Sequence, residues 1–254
     1  MLKKAPIKFR VKACAIHFAF SLLIGMVVAL AVFRMWYPYP YGDLSEGKRL
    51  FIMVLGIDVI LGPLITLLIF NPKKSRRELL MDFAVVAVIQ MAALVYGVWT
   101  VYVARPVHLV FEYSRLVVVH GADVDEEALK LAPDPFKVLP VNGPTLLSLR
   151  PLNGSDMVQS TLMALNGVPQ AAQTNLWQPY ENARIEILAN AKPVSVLRQR
   201  FSTQTQTIDT AIREAGKDED QLLTLPVLSR QQAWTALIDA TSGYPLGFLP
   251  IDSF

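Results

Sequence analysis

The chain has 254 residues, 53% of them hydrophobic and only 18% charged, with a mean hydropathy of +0.37 and a net charge of +3. That apolar excess excludes an ordinary soluble domain. The single cysteine, Cys14, excludes an intramolecular disulfide and reads as a small buried residue at the start of an apolar run.

Charge divides unevenly along the chain. Residues 1–104 carry 12 Lys/Arg against 5 Asp/Glu, a net of +7, and residues 105–254 carry 12 against 16, a net of −4. A basic, apolar first part and a mildly acidic second part imply two regions in two environments. The second part is long enough to bury one core of ordinary domain size.

Three apolar runs follow in order, at about 13–33, 50–70 and 83–104. Each matches the ~20 residues that a helix needs to cross ~30 Å of hydrocarbon. The first exceeds the ~7–15 apolar residues of a signal peptide. Arg34, Met35 and Trp36 follow it instead of a small-residue cleavage site, which predicts a retained helix. Lys3, Lys4, Lys8, Arg10 and Lys12 precede the first run, and Lys73, Lys74, Arg76 and Arg77 separate the second from the third. The loop between the first two runs offsets Arg34, Lys48 and Arg49 with Asp43 and Glu46. Positive-inside bias therefore predicts a cytoplasmic N-terminus, and three crossings deliver residues 105–254 to the far side, the periplasm of a bacterium. Trp36, Tyr37, Tyr39, Tyr41, Trp99 and Tyr102 all fall near that outer interface, where amphipathic rings prefer to sit.

The second run, LFIMVLGIDVILGPLITLLIF, contains one carboxylate, Asp58, and a helix-breaking pair, Gly62-Pro63. Asp58 lies roughly 12 Å deep at ~1.5 Å per residue, where an ionised group costs several kcal/mol unless it is paired or hydrated. Tyr96 in the third run is placed level with Asp58, and its hydroxyl is a possible donor to the carboxylate. Pro63 has no N–H, so the Val59 carbonyl loses its helical partner, and the Gln90 amide at that depth is a candidate to satisfy it. Gly62 allows close helix approach. Two accounts stay open: an internal polar cluster holding a kinked three-helix bundle, or a cluster facing outward to receive a polar group from another membrane helix. His17, close to the cytoplasmic interface, is assigned no function.

Beyond residue 104 the pattern turns mixed. Residues 107–119 read as a strand, 123–132 as a short helix with acids in its first turn, and GPTLLSLRPL as a strand. Residues 155–167 read as a helix, with Ser155 as N-cap, Gly167 as stop and apolar residues at 158, 162 and 165. YENARIEILANA and 204–215 read as helices. LLTLPVLS, WTALIDA and PLGFLPID read as strands, the last two joined by a Thr-Ser-Gly hairpin loop. The prediction is an α+β domain after a three-helix transmembrane bundle. Its chemistry is sparse. His108 and His120 form no metal-like cluster, and Asp218-Glu219-Asp220 reads as a solvated loop. There is no nucleophile elbow and no phosphate loop, so neither an enzyme nor a cofactor site is expected. The stretch Trp177-Gln178-Pro179-Tyr180 is either a recognition edge or a turn with Trp177 packed inward.

Taken together, the chain resembles the type IV pilin accessory proteins of the TfpX/TfpZ type. The resemblance rests on Trp36-Tyr37-Pro38, on Asp58 with Gly62-Pro63-Leu64 and Thr66, and on Lys73-Lys74. It continues through Asp82, Gln90, Tyr96-Gly97, Arg105-Pro106, Phe111 and the C-terminal hairpin. It implies a bacterial inner-membrane protein, not an enzyme, that helps a particular major pilin accumulate or assemble into fibres. Implied partners are that pilin, other pilus assembly proteins and the lipid bilayer, with no nucleic acid and no metal. The residues inferred to bind the partner are Asp58, Gly62, Pro63, Gln90 and Tyr96 in the membrane, and Trp36, Arg105, Trp177 and Tyr180 at the outer interface and beyond it. The competing reading is a small transporter or proton-coupled subunit using Asp58.

Overall fold

A computed structural model describes residues 7–71 and 74–254, apart from the side chain of Ser155. Lys3, Lys4 and Lys73, used above to orient the chain, lie outside the described residues. The chain packs as two compact units. One reaches up to Met35 and resumes from Glu46 to Val103; the other takes Trp36–Ser45 together with Ala104–Phe254.

The first unit holds three long helices: α1 (Ile7–Ala31), α3 (Gly47–Ile69) and α4 (Arg76–Val103). A five-residue π-helical stretch, Val32–Trp36, continues α1. All three are long and apolar enough to cross a membrane. Each starts earlier than its apolar run, because Lys and Arg are good helix formers and extend it at the basic end. The middle helix packs on both others, while α1 and α4 have little direct packing. Two glycines set that closeness. A Cβ on Gly25 of α1 would lie 2.4 Å from Leu55, and one on Gly97 of α4 would lie 2.1 Å from Val54. Small residues at such positions let membrane helices gain van der Waals contact where no hydrophobic driving force exists.

The second unit is α+β, as expected, with a mixed eight-stranded sheet in the order β4-β3-β1-β2-β6-β7-β8, and β5 paired on β6. The strands are β1 (Pro106–Glu112), β2 (Arg115–His120), β3 (Thr145–Leu149), β4 (Trp177–Pro179), β5 (Lys192–Pro193), β6 (Leu222–Leu228), β7 (Ala233–Asp239) and β8 (Pro245–Leu249). The pairs β1–β3 and β2–β6 are parallel and the rest antiparallel. Residues 107–119, expected as one strand, form a hairpin instead. Tyr113, at φ +59°, turns the chain between β1 and β2. The continuous apolar run hid the turn because β1 is buried along its whole length.

The remaining helices are α2 (Tyr41–Leu44), α5 (Glu126–Lys130), α6 (Gly154–Leu165), α7 (Arg184–Asn190), α8 (Val194–Arg200) and α9 (Thr205–Ala215). The N-cap of α6 is Asn153 rather than Ser155, and the Asp156 carboxylate accepts the Asn153 N–H at 3.0 Å. Its apolar stripe faces outward, with Val158, Leu162 and Leu165 all exposed. The helix docks instead through its polar side, where the Gln173 amide donates to the Ser160 carbonyl at 3.0 Å.

Leu109, Phe111, Leu116 and Val118 share one cluster with Leu225, Ile187 and, from the segment between the first two membrane helices, Tyr41 and Leu44. Leu44 is completely buried, and the Tyr41 ring meets Phe248 edge-on at 6.1 Å. The expectation assigned this segment to residues 1–104; its apolar side chains complete the core of the second unit. A further cluster joins Val110, Leu147 and Trp177, and another joins Val194, Leu197 and Ile208 to Leu237 and Leu249. The β7–β8 turn is closed by Asp239, which accepts the N–H groups of Thr241 and Ser242 at 2.8 and 2.7 Å, with Gly243 at φ +80°.

Candidate functional site

Four polar side chains meet in the helical unit, and their positions follow from helical periodicity. Asp58, Gly62 and Thr66 are spaced by four, so they share one stripe of α3. Gln90 of α4 faces that stripe. A Cβ at Gly62 would lie 1.9 Å from Gln90 Nε2, so only glycine leaves room for the amide. Gln90 Nε2 donates weakly to the Asp58 carbonyl at 3.3 Å and to Asp58 Oδ1 at 3.4 Å. The expected contact with Val59 is therefore replaced by one to the preceding residue. On its other side Gln90 Oε1 lies 2.6 Å from His17 Nε2, and His17 Nδ1 lies 2.5 Å from the Thr66 hydroxyl oxygen. Since Oε1 only accepts, His17 Nε2 donates, and in the neutral ring Nδ1 accepts from Thr66.

The chain Thr66–His17–Gln90–Asp58 thus ties all three helices together. His17, left without a role by its shallow depth, is its central joint. The signal for it was present: one of very few polar residues in the first run, matched by Gln90 in the third. Asp58 is half-buried, and among the described residues its side chain has Gln90 as its only hydrogen-bond partner.

Tyr96 does not join this chain. It is 68% exposed, with its ring 6.0 Å from Trp99. Six residues from Gln90 place it roughly 120° around α4, whereas Gly97, seven residues on, returns to the packed face. Pro63 is buried inside α3, which continues past it to Ile69.

Beside His17 and Gln90 a cleft of about 510 Å³ opens between α1 and α4. Ala13, Ile16 and Phe20 of α1, Phe83 and Ala87 of α4, and Phe70 at the end of α3 form its walls. Lys12 also lines it. At the same end Lys74 pairs with Asp82 at 2.5 Å.

The candidates of the second unit pack inward. Arg105 is 4% exposed and donates through Nε and Nη2 to the Pro140 carbonyl at 3.3 and 3.1 Å. Trp177 is 1% exposed and its indole N–H donates to the Ala171 carbonyl at 2.9 Å. Tyr180 is 3% exposed and its hydroxyl donates to the Gly243 carbonyl at 2.9 Å. Burial, with Tyr244 alongside, raises the Tyr180 pKa and keeps it a donor. These three therefore shape the core instead of offering a recognition edge, and of the two readings of Trp177 the inward one holds. Trp36 is half-buried. His108 packs edge-on against Trp177, with ring centroids 4.7 Å apart, and its Nδ1 lies 2.8 Å from the Thr145 hydroxyl. Burial first, and Arg105 second, lower its pKa to about 4. Among the described residues no group of three or more His, Cys, Asp or Glu side chains is placed to hold a metal ion. Asp218 is the N-cap of a short 3-10 turn and Glu219 pairs with Arg198 at 2.7 Å, so two of the three acids in this run have local structural roles.

Three apolar helices with an internal polar chain, followed by an α+β region with a mixed sheet, define a membrane protein carrying one globular domain. The family profile of Fimbrial assembly protein FimB matches residues 5–46, which include α1 and the segment that completes the domain core. The chain is 32% identical over 241 residues to a fimbrial assembly protein of Dichelobacter nodosus serogroup I, covering 94% of each chain. It is 32% identical over 244 residues to the serogroup E1 protein, again covering 94% of each. To the protein of serogroups C1 and C2 it is 37% identical over 123 residues, 48% of this chain and 94% of that one. The chain belongs to the fimbrial assembly protein family. No solved structure matches it.

Proposed function

We infer that this chain is an accessory protein of pilus assembly, acting in the bacterial inner membrane on a type IV pilin, as its TfpX/TfpZ resemblance implies. The observation that carries this is the match to proteins named for fimbrial assembly over 94% of the chain. The basic residues at the starts of α1 and α4 support a cytoplasmic N-terminus and a periplasmic domain. In this reading residues 1–104 are the membrane domain, with the 36–45 segment lent to the periplasmic domain, residues 105–254. A pilin held in the membrane by one apolar helix, with its head outside, needs a helper with both a membrane part and an external part. Here α1, α3 and α4 supply the first and the mixed-sheet domain the second. Asp58, Gln90 and the outward-facing Tyr96 are the proposed points of contact for the pilin helix, with Gly62 and Pro63 shaping the face behind them.

The test is deletion of the gene followed by measurement of pilin abundance and surface fibres, then exchange of the cognate pilin for an unrelated one. Loss of fibres with the cognate pilin is expected. Unchanged pilin level and fibre number in the deletion strain overturns the reading.

A further inference from the structure

We propose that the loop between α5 and β3 is a lipid-contacting surface, which dips Val138 and Val141 into the headgroup boundary of the leaflet on the domain's side. The proposal needs the three helices to cross a bilayer and does not depend on the assembly role inferred above. The loop is pinned to two of the three junctions between helix and domain. Arg105, two residues after the end of α4, donates to the Pro140 carbonyl at 3.3 and 3.1 Å. Pro38, two residues after the π-helical continuation of α1, lies against Gly143, where a Cβ would be 3.3 Å from Pro38 Cγ. Consecutive Cα atoms are ~3.8 Å apart, so the covalent chain holds Arg105 and Pro38 each within about 8 Å of a helix end. The sheet adds a third tie. β3 runs parallel to β1 with Thr145 opposite His108, so the loop enters the sheet at the end where β1 leaves the last membrane helix.

The side chains of the loop sort into two sets. Phe136 and Leu139 pack on the cluster around Val107 and Trp177. Val138 and Val141 stay outside it, 78% and 48% exposed. Exposed valines are common singly, and what distinguishes these two is the place that holds them. No charged residue occurs between Lys137 and Arg150, so nothing on this stretch resists an apolar boundary by its charge. Transfer of the two valines from water to that boundary is favourable. The backbone suits a shallow depth. Pro140 and Pro144 have no N–H, and the Pro140 carbonyl is already taken by Arg105, so little polar backbone loses water. Gly143, at φ +65°, turns the chain back toward β3 directly after Asn142. Beside Pro38, Tyr39 is exposed as well, an amphipathic ring of the kind that settles at headgroup level. The other exposed apolar set of the domain, on α6, follows the opposite end of β3 and has none of these ties.

The test uses the full-length chain carrying Cys14→Ser, with Val138→Cys labelled by an environment-sensitive fluorophore and Leu165→Cys on α6 as the equally exposed control. The protein is reconstituted in phosphatidylethanolamine–phosphatidylglycerol vesicles, with iodide on both sides as the aqueous quencher and spin-labelled phospholipid as the membrane quencher. Iodide quenching about threefold weaker at 138 than at 165, with spin-label quenching at 138 alone, is expected for a residue in the headgroup boundary. A second labelled chain, Asn142→Cys, should show the same protection, and adding Val138→Asp to it should restore iodide access. Equal iodide quenching at 138 and 165, with no quenching of either by the spin-labelled lipid, overturns the proposal. So does protection of position 138 that appears only when a fimbrial subunit is reconstituted alongside, because the valines would then meet protein and not lipid.

Discussion

His17 Nε2 of α1 lies 2.6 Å from Gln90 Oε1 of α4, a bond between two helices that otherwise pack mainly on the third. It joins residues 73 positions apart and fixes where the polar chain runs. Interhelical hydrogen bonds in membranes average ~0.6 kcal/mol and reach ~1.7 kcal/mol. A double-variant cycle of His17→Ala and Gln90→Ala, read from denaturation in detergent, should give a coupling energy in that range. A coupling of zero would mean that the two side chains do not sense each other.

Gly62 is required by Gln90 and not by the backbone. Gly62→Ala puts a methyl at 1.9 Å from Gln90 Nε2 and 2.6 Å from Cδ, so the amide must swing away. The expected cost is about 1–3 kcal/mol of bundle stability. Adding Gln90→Ala should recover most of the steric part, making the double variant more stable than Gly62→Ala alone. Equal or lower stability of the double variant would place the clash elsewhere.

Asp58→Asn keeps a side chain that exchanges hydrogen bonds with Gln90 and removes only the charge. Because Asp58 is a proposed contact for the pilin helix, fibre number should fall in this variant at equal abundance of the chain. Loss of a proton-motive-force-dependent activity in this variant, with the chain still abundant, would favour the coupled-transport reading instead.

Leu44 precedes the second membrane helix in sequence and belongs to the domain core in space, where it is completely buried beside Tyr41. Leu44→Ala should destabilise the domain by about 2–5 kcal/mol, as cavity-forming substitutions do. Protease sensitivity should rise in residues 105–254 while the three helices stay inserted. Sensitivity confined to the 36–45 segment would show that the domain closes without it.

His108 gives the domain a pH dependence. Its folded pKa is about 4 against an ordinary 6.5, because burial and Arg105 disfavour the charged ring. Between those values the unfolded chain binds a proton that the folded one does not, so stability falls as pH drops from about 6.5 to about 4. The difference corresponds to at most about 3 kcal/mol. Thermal melts of the full chain followed by tryptophan fluorescence, with Trp177 against the imidazole, should show this loss, and His108→Gln should flatten it. An identical slope in the variant would assign the effect to another group.

Legibility followed the range of the interactions. The Asp58, Gly62 and Thr66 stripe was readable because a spacing of four is a property of one helix, and the C-terminal hairpin because its loop residues are local. Tyr96 was misplaced because depth along the helix was read without rotation around it. The hairpin at Tyr113 was missed because a strand buried on both faces shows no alternation.

Three apolar helices, the basic residues that begin the first and third of them, and a mixed α+β chain after them are legible from the residues alone. These depend on composition and periodicity, which each segment carries alone. Long-range packing brings His17 and Gln90 together, places Tyr41 and Leu44 in the core of a domain beginning some sixty residues later, and turns Trp177 and Tyr180 inward. Those outcomes depend on which faces of distant segments pack together, and no single segment contains that information.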